Sequence, residues 1–168
     1  MEFAMEDLEI KSTDLRGSSL GLHLVGVWNL RNYTNIHKGG REVQPFGASP
    51  VGLLVYTSNG FVSAQLMDPR RRPSQSGDWD NRTPEEYQEF GNGYIGYCGH
   101  YEIDENHATV THLPSVAFVP NLVGQRLLRQ VALEDNRLTL KASYTLADGS
   151  SATSLLEWSR IISKVEQS

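Results

Sequence analysis

Cysteine is almost missing: Cys98 stands alone in 168 residues, so neither an internal disulfide nor a cysteine-based zinc cage is available. With no base placed beside it, Cys98 reads as a small packing residue rather than a nucleophile. Long apolar runs are missing too. None approaches the roughly 18–20 residues that span a bilayer, and no membrane insertion is expected. The first residues carry Glu2, Glu6, Asp7 and Glu9 where a secretory leader needs basic and then apolar residues, which makes a cytoplasmic location the expectation. Basic charge is scarce: 15 Lys and Arg face 20 Asp and Glu, for a net charge of -5, and Arg70-Arg71-Arg72 is too short a cluster to neutralise a run of phosphates. Nucleic acid is therefore not an expected partner. Also missing are a Gly-x-Gly-x-x-Gly turn, a phosphate-binding Gly-Lys-Ser/Thr, a Gly-x-Ser-x-Gly elbow and a pair of carboxylates sharing an inner face. None of the 5 histidines is spaced as a metal ligand with another His or a carboxylate. Nucleotide-dependent, hydrolytic-triad, glycosidase and metal chemistry are thus excluded as expectations, and no cofactor is implied.

What remains is a chain with 39% hydrophobic residues, enough for one core, arranged in short alternating segments broken by turns. Strands are predicted at Val27–Tyr33, Gly52–Thr57, Phe61–Met67, Tyr94–Ile103, Ala108–Leu113, Gln125–Leu133, Arg137–Tyr144 and Thr153–Ile161. Ser58-Asn59-Gly60 between two apolar runs is a strong hairpin signal. Thr83-Pro84-Glu85-Glu86 supplies an N-cap, a proline at the first helical position and an N3 glutamate, so a short helix is predicted over Pro84–Phe90. Residues 1–20 read as a flexible segment, 21–163 as one β domain and 164–168 as a tail. Eight strands in sequential hairpins expose two edges unless they close, so the expected class is all-β, a closed antiparallel eight-stranded or slightly larger barrel; an open sandwich is the alternative.

The period of two assigns faces. Trp28, Leu30 and Asn32 share one, as do Leu156, Trp158 and Arg160, and a Trp plug under a terminal-strand Arg is the arrangement this suggests. Leu127, Arg129, Val131 and Leu133 share another, which places a guanidinium among apolar neighbours; it must meet a ligand oxygen, an internal partner or water. Arg126 falls on the opposite face. Ile95, Tyr97, Gly99, Tyr101 and Ile103 form the more apolar face of their strand, so Tyr97 and Tyr101 face inward, either as ligand contacts or as core rings. His112 shares a face with Val110 and is directed toward that tyrosine pair, as an acid/base or as a core histidine bonded to a carbonyl or a phenol. For Gln65 and Tyr56 the pattern leaves the inner face open. Pro114–Gly124, which contains Asn121, is too apolar for a solvated loop, so Phe118, Val119, Leu122 and Val123 are expected over a barrel mouth.

Gly26-Val27-Trp28 resembles the lipocalin opening. A longer match, to the calycin-type lipocalin-like domains of bacterial and fungal proteins, is carried by Pro45-Phe46-Gly47, the run Pro50–Thr57, Ser63–Met67, Thr83–Tyr87, Gly93–Glu102, Val110-Thr111-His112 and Pro120–Gly124. The resemblance spans about Leu24 to Ile161. It implies the barrel fold. Similar proteins in natural-product pathways look like cofactor-free isomerases or cyclases, pericyclase types included, that fold a polyketide or terpenoid inside the barrel. The residues expected to act are then His112, Tyr97, Tyr101 and Arg129, with Tyr56, Gln65, Phe118, Asn121 and Trp28 holding the hydrophobic ligand. A carrier that binds such a ligand unchanged needs a similar pocket and stands as the alternative. A homodimer through Leu53, Val55 and other outer apolar positions is compatible with the pattern.

Overall fold

The computed structural model describes residues 19–75 and 80–162; the predicted tail, and the predicted N-terminal segment as far as Ser18, lie outside them. A short helix α1 (Ser19–Leu24) leads into β1 (Gly26–His37), a two-residue strand β2 (Glu42–Val43), the hairpin β3 (Val51–Tyr56) and β4 (Phe61–Met67), and then helix α2 (Pro84–Asn92). The strands β5 (Tyr94–Asp104), β6 (Thr109–Ala117), β7 (Leu127–Glu134), β8 (Arg137–Thr145) and β9 (Ser151–Arg160) follow, with a 3-10 turn at Pro120–Leu122. All pairings are antiparallel, and β1 bonds both β3 and β9, which closes eight strands into a barrel with β2 as an extra flap on β1. The predicted class holds, and closure removes the free edges that an open sandwich would leave.

Local chemistry accounts for the elements. Thr83 Oγ1 accepts from the Glu86 amide while the Glu86 carboxylate accepts from the Thr83 amide, so the predicted capping box starts α2. The Asn59-Gly60 turn joins β3 to β4 in the expected register, Val51 opposite Met67 and Tyr56 opposite Val62. Two irregularities bend the wall. The pairing of β1 with β9 shifts between Leu30 and Asn32, and that of β5 with β6 between Cys98 and Gly99. Such a bulge adds one residue and reverses which side chains point inward. Past Arg31 it is therefore Tyr33, not Asn32, that is buried, and Asn32 lies outside, donating to Glu157.

One end of the barrel is sealed. Trp28 is fully buried, donates from Nε1 to the Leu24 carbonyl at 2.9 Å, and lies beneath the Arg160 guanidinium, whose carbon is 4.1 Å from the ring centroid. Arg160 also donates to the carbonyls of Val25 and His23, tying α1 across the end. Gly26, at φ +141°, is the one residue that lets it pass: a Cβ there would sit 2.5 Å from Arg160 Nη1. Leu24, Val62 and Leu138 are buried at this end.

Candidate functional site

Toward the other end the packing opens into a cavity of about 360 Å³. Leu54, Ala64, Leu66, Ile95, Leu140 and Leu156 give its apolar wall, while Leu128 and Tyr144, both more than a third exposed, stand at the rim. Volume and lining suit a small organic molecule.

The polar side of the cavity centres on β6. His112, 1% exposed, receives a phenol on each ring nitrogen: Tyr56 Oη lies 2.6 Å from Nε2 and Tyr97 Oη 2.7 Å from Nδ1. Burial, reinforced by the Arg129 charge, lowers the imidazole pKa to about 3, so the ring is neutral at pH 7. Burial also raises the Tyr56 phenol well above its usual range, and it raises Tyr97, where the nearby Arg129 guanidinium pulls the other way. A neutral imidazole has one N–H and one lone pair, so the triad runs in one direction at a time. With Tyr56 donating to Nε2 and Nδ1–H donating to the Tyr97 oxygen, the Tyr97 proton is free to point into the cavity. The sequence had left His112 open between an acid/base near neutrality and a core histidine bonded to a phenol; its surroundings are those of the second.

Arg129 lines the same cavity from β7, whose side chains alternate between half-buried and exposed as the pattern predicted. Its Nη1 donates to the Leu128 carbonyl at 3.0 Å, and no carboxylate pairs with it among the described residues. Arg126 reaches the rim from the other face and is paired with Glu102 at 2.6 Å.

The remaining expected residues separate. Tyr101 is buried below the cavity, donating to the Thr57 carbonyl at 2.9 Å with its ring 5.0 Å from that of Tyr56. Tyr56 itself points inward but lies behind His112 rather than on the cavity surface. Trp28 belongs to the sealed end. Gln65 is on the outer face, accepting from the Tyr94 hydroxyl, because Ala64 and Leu66 take the inner positions of β4. Phe118 is half exposed outside the wall, edge-on to Tyr94, and Asn121 is exposed in the 3-10 turn. The loop after β6 thus runs along the outside of the barrel and does not bring these two to the cavity.

Tyr33, Tyr144, Ser154 and Trp158 line the cavity although the sequence reading did not name them as site residues. For Tyr144 a signal existed: Leu138, Leu140 and Ala142 establish the inner phase of β8, and Tyr144 is next in step. Tyr33 was hidden by the bulge at Arg31. Among the described residues no group of three or more His, Cys, Asp or Glu is placed to hold a metal, and no helix is long and apolar enough to cross a membrane.

A family model described as a lipocalin-like domain matches residues 25–161, from the residue before β1 to the residue after β9. No curated protein matches the sequence.

Proposed function

The chain belongs to the lipocalin-like domain family, whose barrel suits a small hydrophobic ligand, and from that premise we propose that it holds an oxygen-bearing polyketide or terpenoid-type molecule and isomerises or cyclises it without a cofactor. One observation carries the proposal: Tyr97, oriented by His112, and Arg129, free of any carboxylate among the described residues, converge on a cavity that is otherwise mostly apolar. In that setting a ligand carbonyl takes hydrogen bonds from both groups, and negative charge that develops on its oxygen is stabilised in a site of low dielectric. The apolar wall holds the carbon skeleton in a folded conformer, which removes part of the entropic barrier to ring closure.

The triad also restricts the kind of reaction. Burial raises the Tyr97 phenol above its usual range even beside Arg129, and relaying the charge through His112 would only move it to Tyr56, where burial disfavours it more. Tyr97 is therefore a hydrogen-bond donor and not a net proton source. This fits rearrangements in which charge shifts within the substrate, pericyclic ones included, better than steps that need a proton delivered. Tyr101 supports the triad from below through Tyr56. Binding without conversion is the second reading, favoured by the engagement of both His112 nitrogens within the protein.

Calorimetric titration with 2-naphthoate, an apolar bicycle bearing one carboxylate, tests the site. The wild type is expected to bind it, Arg129→Leu to bind at least about tenfold more weakly with an unchanged melting temperature, and Arg126→Leu to match the wild type. Equal effects of the two substitutions would discard Arg129 as the anchor. Incubation with a linear polyene 1,3-diketone in chelator-treated, cofactor-free buffer separates the two readings: conversion faster than in buffer supports catalysis, and binding with no acceleration supports a carrier.

A further inference from the structure

Trp158 is 3% exposed, and its Nε1 is buried with no hydrogen-bond partner among the described residues. The other indole of the sealed half, that of Trp28, has the Leu24 carbonyl. A buried N–H left without an acceptor costs free energy that a phenylalanine at the same position would not incur. Trp158 sits on the inner face of β9, opposite Leu30 and Leu138, whose side chains offer no acceptor, and one inward step above Arg160 of the plug. It lines the deep part of the cavity.

We propose that the Trp158 indole N–H is a second polar anchor, donating to an acceptor oxygen at the buried end of the ligand. The proposal rests on the small-molecule reading above and narrows its substrate class. Arg129 lies one step beyond the Gln130–Lys141 pair, level with Ala142 and its partner Ser154. Ser154 precedes Trp158 by four residues, roughly 13 Å along the strand. The two anchors are thus at different depths, with Leu140 and Leu156 on the wall between. The ligand that fits is elongated and apolar in its middle, with one oxygen function at the Arg129 and Tyr97 level and another at its deep end. The deep oxygen is a neutral ketone, ester or ether. A carboxylate there would be buried against a neutral donor, because Arg160, the nearest cation along β9, is committed to the plug.

Two probes of the same shape test the assignment: 6-acetyl-2-naphthoate, which carries the deep acceptor, and 6-isopropenyl-2-naphthoate, which replaces that carbonyl oxygen by a methylene. The wild type is expected to bind the acetyl probe about fivefold to tenfold more tightly. In Trp158→Phe the two affinities should become equal, while Arg129→Leu should weaken both and keep their ratio. The wild-type protein gives an independent measurement that needs no variant to fold: the Trp158 indole ¹⁵N–¹H resonance should move downfield with the acetyl probe and not with the isopropenyl one. Equal affinities in the wild type, a preference that survives Trp158→Phe, or the same resonance shift with both probes would overturn the assignment and leave the Arg129 site standing. If neither probe binds the wild type, the small-molecule reading fails and this one with it.

Discussion

At the scale of single residues, the central fact is a histidine kept neutral. In the unfolded chain His112 takes up a proton near pH 6.5, whereas in the fold it does so only near pH 3. Between those values the unfolded state binds more protons, so the stability that His112 contributes is complete above pH 6.5 and is lost as the pH falls toward 3. The slope approaches about 1.4 kcal/mol per pH unit in that window. His112→Gln keeps polar groups for both phenols but removes the titration. Urea denaturation between pH 4 and 7 should show a stability curve for His112→Gln flatter than that of the wild type. Identical slopes would mean that the imidazole is not held neutral between Tyr56 and Tyr97.

At the scale of elements, the bulge between β5 and β6 depends on Gly99. A Cβ at Gly99 would overlap the Leu113 carbonyl oxygen, a backbone atom that cannot swing aside. At Gly96 the same atom would meet the Gln65 and Tyr94 side chains, at 2.5 and 2.6 Å, and these can rotate away. Gly99→Ala should therefore cost roughly 3 kcal/mol in chemical denaturation and Gly96→Ala clearly less; equal losses would show that the bulge adapts. The bulges also explain what the sequence revealed and what it hid. Alternation read correctly wherever a strand was regular and its two faces differed, as in β7, where Arg129 alternates with Leu127 and Val131. It failed for Asn32 and Tyr33 because one extra residue reverses the phase. For Gln65 it was undecided because Phe61 and Met67 outside are as apolar as Val62 and Leu66 inside. The flap β2, at two residues, is too short to carry a period. The segment that holds Phe118 and Asn121 was expected at the mouth from composition alone, which cannot say on which side of the wall a loop runs.

At the scale of the whole molecule, the barrel divides into a rigid sealed end and an open end with the cavity. The Arg160 guanidinium links the last strand, the Trp28 ring and the carbonyls of His23 and Val25 at the end of α1. Arg160→Met keeps some apolar cover on Trp28 but removes these donors. It should lower stability by about 2 kcal/mol and speed amide exchange in α1, with little change in 2-naphthoate affinity. A loss of affinity as large as that of Arg129→Leu would show that the two ends are not independent. The claim that the interior of the barrel is the ligand site is tested most directly by methyl NMR during a 2-naphthoate titration. Saturable shifts are predicted at Ala64, Leu140 and Ala142 on the inner wall, with Leu53 on the outer face of β3 and Val116 in the outer groove beside Phe118 unmoved. Shifts confined to Val116 and Leu53, or saturation without any change at Ala142, would contradict it.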